Sequence, residues 1–431
     1  MKKRYVYTLC VCGLLVCVSA LAFCRPVADD DGDIRISPEI EYAHSINSPA
    51  RVYPYINYGA NRVEFNGSNW TELTKRLNEA YSDGVFTIVH IGDSHIQAEG
   101  GTSVTRSNFQ EIYGNAGRGI IVPLRIAGTN QPVDYSIQSS DSFAKSTLLK
   151  QPWQVPMGFT GVSIRPAAST FRFGFALSDP ADCFTVMSSG HPAVTSVESN
   201  GSAIAFSVAD TPLGICVTPE IPLKDFTVVL TGSDAVIHGF DLRNDRHGVV
   251  YHAIGNNGAT YASYGEIESF GRSVAALSPD LVIIALGTND AFGRYDEADF
   301  VARMDGMVKD IRSNAPESAL LLVTPSECQR SASRRTGRGR RTKVKTYTVN
   351  TNIEKVRDAI MRYGAENHIA TYDFYTVAGG AGASEKWLAD KLLSKDRIHR
   401  TWDGYRLDGS LIFEALHNAL SEHNQSAFTA R

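Results

Sequence analysis

The stretch His90-Ile91-Gly92-Asp93-Ser94-His95-Ile96-Gln97-Ala98-Glu99-Gly100 follows an apolar, β-branched run, Phe86-Thr87-Ile88-Val89. Such a run reads as a buried strand, and Glu99-Gly100-Gly101 cannot continue it. Ser94 therefore falls at a strand's C-terminal end, the edge where open α/β sheets bind ligands. Its hydroxyl becomes a nucleophile if a base reaches it. The plainer role for Asp-Ser after a strand is to cap the next helix. A histidine with a nearby carboxylate stands far along the chain, in Asp396-Arg397-Ile398-His399, and the two-residue gap lets Asp396 hold His399 from within one turn. If that loop folds back over the same edge, Ser94, His399 and Asp396 supply nucleophile, base and orienter for acyl transfer. Two more apolar runs end in polar residues: Val249 to Ile254 in Gly255-Asn256-Asn257-Gly258, and Leu281 to Leu286 in Gly287-Thr288-Asn289-Asp290.

These ends can meet only if the runs lie side by side. Trp70, Leu73, Leu77 and Tyr81 write a helix, with Ser68 or Asn69 as its cap, and a second helical pattern covers Val104 to Tyr113. Strand and helix signals alternate again from Val249: helix faces at Ile267–Leu277, Phe300–Ile311 and Ile353–Tyr363, strands at Ala319–Val323 and Ile369–Phe374, and a last helix from about Asp408. Alternation of this kind implies a parallel sheet with helices on both faces. Between the two parts the rhythm changes. Short alternating runs such as Thr170-Phe171-Arg172-Phe173-Gly174-Phe175, separated by Gly, Pro, Ser and Asp, predict a β-sandwich of about a hundred residues or slightly more. The expected organisation is an α/β domain at residues 56–126 and 242–425, interrupted by a β-rich insertion at 127–241.

Composition adds the compartment. The chain has 431 residues, 43% hydrophobic and 20% charged, with a formal net charge of -4, which gives no reason to expect a nucleic-acid partner. Lys2, Lys3 and Arg4 precede an apolar run from Val6 to Val18, and Ala20-Leu21-Ala22 offers small residues for cleavage, so residues 1–22 read as a secretory signal and 23–55 as a linker. Leu21-Ala22-Phe23-Cys24 resembles a lipoprotein box, although Phe23 departs from the small residue usual there. A lipid on Cys24 is the one membrane contact expected. Of seven cysteines, Cys183, Cys216 and Cys328 remain downstream. One disulfide, with Cys183 and Cys216 the pair closest in sequence, and three buried thiols are both open.

Gly92-Asp93-Ser94-His95, Gly255-Asn256-Asn257-Gly258, Gly287-Thr288-Asn289-Asp290 and Asp396-Arg397-Ile398-His399 together resemble, in order, the four blocks of the SGNH (GDSL) hydrolases. The resemblance spans residues 60–125 and 245–422. It implies a flavodoxin-like (SGNH hydrolase) parallel sheet, serine acyl chemistry on esters, and no metal or organic cofactor. It also implies an oxyanion hole made of the backbone N–H of Ser94, the backbone N–H of Gly258 (with Gly255 as the other candidate) and the side-chain amide of Asn289, donors aimed where negative charge develops. His95 is expected to support the site from behind, and Asp93 to fix the turn.

Within that family, Gly-Asp-Ser-His, the run Tyr113-Gly114-Asn115-Ala116-Gly117-Arg118-Gly119 and a β-domain after the first block resemble bacterial O-acetylpeptidoglycan esterases. The expected substrate is thus an acetylated polysaccharide, peptidoglycan first. Deacetylation of plant or host glycans, acetyl transfer to a sugar hydroxyl, and a glycan-binding surface protein with a vestigial site stay open as alternatives. Trp153 and Phe159 are candidates for stacking on sugars, against a plainer role in the sandwich core. Arg330 to Lys345 hold eight basic side chains and no acid, which reads as a solvated loop that could also attract an anionic glycan.

Overall fold

Five apolar runs and the short segment Asn115–Gly117, which the sequence pattern did not mark, become the six strands of one parallel sheet in this computed structural model. It describes the backbone of residues 51–336 and 342–429, and their side chains except those of 334–344 and 422–429. The expected signal segment, Cys24 and most of the expected linker lie outside the described residues. At the linker's end, Tyr53 and Ile56 are already buried in the core.

The strands are β1 (Val85–Gly92), β2 (Asn115–Gly117), β3 (Gly248–Gly255), β4 (Leu281–Ala285), β5 (Ala319–Val323) and β6 (Ala370–Tyr372), in the spatial order β2-β3-β1-β4-β5-β6. The chain builds β3 on one side of β1 and then crosses to build β4 on the other. That reversal beside β1 creates the crevice in which doubly wound folds bind ligands. Register runs Gly92↔Gly255 across β1 and β3 and Gly92↔Ala285 across β1 and β4, so the ends of three strands lie level.

Both faces are covered, which is why the strands are apolar at nearly every position rather than at alternate ones. Val89, Ile91, Ile254, Ile284 and Leu322 point to the layer of α3 (Glu297–Asn314) and α4 (Asn352–Glu366). Phe86, Ile88, Tyr251, Ile283 and Leu321 point to α1 (Thr71–Glu79), α2 (Thr102–Tyr113) and α5 (Trp402–Thr429). On that side Phe109 of α2 meets Phe413 of α5 edge to face at 4.9 Å. The N-cap of α1 is Trp70 and not the expected Ser68 or Asn69; Asn69, one residue earlier, accepts the Thr71 N–H. α5 begins at Trp402, six residues before the expected Asp408, because Thr401 caps it by accepting the Gly404 N–H.

The β-rich block folds as two antiparallel sheets, one of five strands and one of seven, packed on a shared aromatic core. Phe171, Phe173 and Phe175 all enter that core from alternate positions of one strand, the period-two pattern visible in the sequence. Phe175 stacks on Phe226 at 4.6 Å and meets Phe240 edge-on at 4.8 Å. Gly119–Ile121, ahead of the insertion's expected start at residue 127, already pairs with Val236–Arg243 in the larger sheet. Leu148, Phe159, Val162 and Met187 join the core of the α/β part, so both parts fall in one compact unit, Arg51–Arg431.

Phe159 is therefore core and not a sugar platform, and Trp153 is half-buried with its indole N–H donating to the Leu148 carbonyl at 3.3 Å. Cys183 and Cys216 are free thiols on neighbouring strands, and Cys328 is a buried one. The basic run is a hairpin and not a loop: Gln329–Thr336 pairs with Thr342–Val349. Residues 337–341 and the basic side chains at 334–343 lie outside the described ones. Among the described residues no helix is long and apolar enough to cross a membrane.

A buried ionic network ties the insertion to the strand-end region. Arg106 contacts Glu99 at 2.9 Å and Asp134 at 2.7 Å, while Arg118 contacts the same two carboxylates at 2.8 and 3.0 Å. Asp134 opens the insertion's first strand, Tyr135–Gln138, and Glu99 follows the Ser94 turn. Removing one cation leaves buried acids short of a partner, at a cost of about 3–5 kcal/mol. Arg118→Met should lower the urea unfolding free energy by about that much; a loss under about 1 kcal/mol would mean water screens the network.

Candidate active site

β1 stops at Gly92, and the chain turns at once into a single helical turn, Ser94–Gln97. Asp93 caps this turn, its Oδ1 accepting the His95 N–H at 2.9 Å. Capping thus falls to Asp93 and leaves the Ser94 hydroxyl for other partners. The turn rests directly on β3: a Cβ at Gly255 would lie 2.1 Å from the Gln97 nitrogen and 2.5 Å from the Ile96 carbonyl carbon. Only glycine allows this approach. Gly258, three residues on, has φ +81°, and the nearest atom to a Cβ there is a Leu149 methine carbon at 3.7 Å, so its constraint is conformational and not steric. Of the two glycines, Gly258 borders the cleft in front of Ser94.

Ser94 and His399, 305 residues apart, meet at 2.8 Å between Oγ and Nε2. The other ring nitrogen, Nδ1, lies 2.7 Å from Asp396 Oδ2. Asp396 Oδ1 in turn accepts from the Ser394 hydroxyl at 2.7 Å and from the backbone N–H groups of Ile398 and His399 at 2.9 and 3.0 Å. Partial burial opposes the charge on Asp396, but these hydrogen bonds outweigh it and hold the carboxyl well below the usual carboxylate range. The turn that aims two N–H groups at one oxygen places Arg397 at φ +63°, a left-handed conformation costing about 1–2 kcal/mol.

The hairpin holds this loop over the sheet edge. Gln329 donates its N–H to the Arg397 carbonyl at 3.0 Å, Tyr347 donates its hydroxyl to the Lys395 carbonyl at 3.1 Å, and the Arg397 guanidinium lies 4.2 Å over the Tyr347 ring. Arg330 covers the Phe292 ring at 5.5 Å. The hairpin that carries the basic run thus positions the loop of Asp396 and His399, through Gln329 and Tyr347 at its open end.

In front of Ser94 opens a cleft of about 650 Å³, bordered by Gly258, Asn289, Phe292, Ile398, His399 and Tyr405. The sequence pointed to Gly258, Asn289 and His399. It gave no signal for the apolar wall of Phe292, Ile398 and Tyr405, which contact spacing alone cannot reveal. Among the described residues no cluster of three His, Cys, Asp or Glu side chains is arranged to hold a metal ion.

Residues 233–407 match the model of the GDSL-like lipase/acylhydrolase family. The matched stretch carries Gly255–Gly258, Gly287–Asp290 and Asp396–His399; the strand register sets the end of β1, just before Ser94, level with the first two, and the Ser94–His399 contact joins it to the third. A solved peptidoglycan O-acetylesterase structure is similar over 85% of this chain and 98% of its own, with a TM-score of 0.67 and 20% identity. A lipase/acylhydrolase from Enterococcus faecalis aligns over 40% of this chain and 77% of its own, with 22% identity and a TM-score of 0.29. No curated protein matches the chain.

The remaining polar groups lie about the Ser94 turn. Asn289 Nδ2 lies 3.1 Å from the Ala259 carbonyl and 3.3 Å from Asp93 Oδ2. Neither the Ser94 nor the Gly258 N–H has a backbone acceptor among the described residues. His95 points away from Ser94, its Nδ1 3.3 Å from the Tyr405 hydroxyl and its ring 5.5 Å from that of His399. Burial, with the Arg400 charge adding, pushes its imidazole down to about 3, so it is neutral.

Burial raises the Asp93 carboxyl to about 6, against the pull of hydrogen bonds from the His95 N–H and Thr288. Between the ordinary value near 4 and about 6, the unfolded chain gives up this proton before the folded one does. Stability attributable to Asp93 therefore falls as pH rises through that window, by an amount on the order of 1–3 kcal/mol. Asp93→Asn should flatten the decline in urea unfolding free energy between pH 4.5 and 6.5. The same variant turns a donor toward Asn289 and should slow ester hydrolysis roughly 10- to 100-fold. An unchanged slope together with full activity would remove Asp93 from both roles.

Proposed function

We propose that the protein is an exported serine esterase that removes O-acetyl groups from a polysaccharide, peptidoglycan first, with Ser94, His399 and Asp396 as its triad. The observation that carries the chemistry is the pair of short contacts at His399, 2.8 Å to Ser94 Oγ and 2.7 Å to Asp396, at the mouth of an open cleft. Likeness to a peptidoglycan O-acetylesterase over 85% of the chain, insertion included, favours the polymer. Export rests on the basic and apolar N-terminal segment, with Cys24 as the candidate lipid anchor.

On this reading Ser94 Oγ attacks the acetyl carbonyl while His399 Nε2 takes its proton, and ionised Asp396 stabilises the resulting imidazolium. The carbonyl oxygen becomes negative and is met by the N–H groups of Ser94 and Gly258. Asn289 contributes its amide by exchanging the long 3.3 Å contact with Asp93 for the oxyanion. Collapse expels the sugar oxygen, which takes the proton from His399. Water then attacks the acetyl-serine, giving its proton to His399, and acetate leaves as Ser94 recovers its hydrogen.

Ser94→Ala should abolish hydrolysis of p-nitrophenyl acetate with the fold intact by circular dichroism, and His399→Ala should be nearly as damaging. Because the members act as a unit, the double variant should be little worse than either single one. Retention of most activity in Ser94→Ala would overturn the assignment. Asn289→Ala removes one oxyanion donor and should lower kcat roughly 10²–10³-fold with KM little changed; an effect confined to KM would make Asn289 a substrate-binding residue.

A further inference from the structure

Trp402 opens α5 only three residues after His399, and its side chain is 52% exposed. The other tryptophans are covered: Trp70 and Trp387 are each 1% exposed, and Trp153 is half-buried. Among the described residues the Trp402 ring packs on no other aromatic, and its indole N–H has no acceptor. A single exposed apolar residue needs no explanation by itself. Its surroundings supply one.

Beside Trp402 runs a groove of about 220 Å³ between the α/β part and the insertion. Val133, 80% exposed, and Asp179 line it from the insertion, and Ser103 and Ser107 line it from α2. The groove continues the catalytic cleft: Ala98 borders both, and the segment that borders the cleft at Asn130 borders the groove at Pro132 to Asp134. Arg106, Arg118, Glu99 and Asp134 in its lining are the two cations and two anions of the buried network, already paired with one another. With Asp179 the lining carries no net positive charge, so it has nothing to attract a polyanion.

We infer that this groove is a glycan subsite in which the Trp402 ring stacks on an uncharged pyranose face of the chain whose acetyl group lies at Ser94. The inference rests on the proposed deacetylation of a polysaccharide and adds where the polymer is gripped. A flat indole in water offers apolar area and one donor, which suits a sugar face of axial C–H groups rimmed by hydroxyls. The side chains of Ser103 and Ser107 lie within the same groove to meet those hydroxyls. Such a contact is remote from the reacting carbonyl, and a small ester cannot use it.

The test uses the full exported chain, with O-acetylated peptidoglycan fragments and p-nitrophenyl acetate as substrates. Trp402→Ala should raise KM for the fragments roughly threefold to tenfold, the range expected of one aromatic contact, and lower the ratio of fragment to p-nitrophenyl acetate turnover accordingly. Trp402→Tyr, which keeps a ring, should restore most of that loss. In Ser94→Ala protein, fragments should shift the tryptophan emission, and adding Trp402→Phe should remove the shift. An unchanged KM, or an equal loss on both substrates, would overturn the subsite. Activity of Ser94→Ala decides the enzymatic reading separately, since that reading stands or falls on p-nitrophenyl acetate alone.

Discussion

A hydroxyl and an imidazole separated by 305 residues can share a hydrogen only if the backbone under each is rigid, and most of this fold serves that 2.8 Å contact. Ser94 is fixed from below by β1, buried on both faces in the middle of the sheet, and from the side by the close seat of its helical turn on Gly255. His399 has no strand beneath it. Its loop is closed on the Asp396 carboxylate, clamped by the hairpin through Gln329 and Tyr347, and followed at once by α5, whose Phe413 and Leu416 are buried in the core. A strained residue, Arg397, is held where three neighbouring contacts over-determine it, as strain at working sites generally requires.

The insertion interrupts the chain between the serine and everything it must meet, yet the sheet is unaffected. β1 pairs with β3 residue for residue although the sandwich lies between them in sequence. Long excursions of this kind are tolerated because closure entropy grows only slowly with length. The excursion is also tied back at both ends, by Gly119–Ile121 crossing into its sheet and by the ionic network around Glu99 and Asp134. One consequence is a groove walled by both parts, which a free-standing α/β domain would lack.

Burial behind Ser94 divides labour among carboxylates. Asp396, partly exposed and surrounded by donors, stays ionised, whereas Asp93, beneath the turn, is pushed up to about 6 by burial. The two sit on opposite sides of the same serine, one toward His399 and the other toward Asn289. Environment rather than residue type sets the difference.

Local pattern alone marked five of the six parallel strands, the both-sides-covered sheet, the sandwich, three polar strand ends and the polar cluster Asp396 to His399, because hydrophobic period and turn residues are written along the chain. It placed Ser94, Asn289, Asp396 and His399 where the structure brings them together around one cleft, and it separated His95 from the reacting line. It missed what depends on contacts between distant segments. The basic run at Arg330 reads as a loop because charge says nothing of pairing, and only its partner strand makes it a hairpin that holds the His399 loop. For Trp153 and Phe159 the sequence left sugar stacking open beside a role in the core, because aromatic type is the same in a core and on a surface. Which aromatic ring faces water was decided by packing: the α/β core covers Phe159 and part of Trp153, while Trp402, on the first turn of α5, is left 52% exposed.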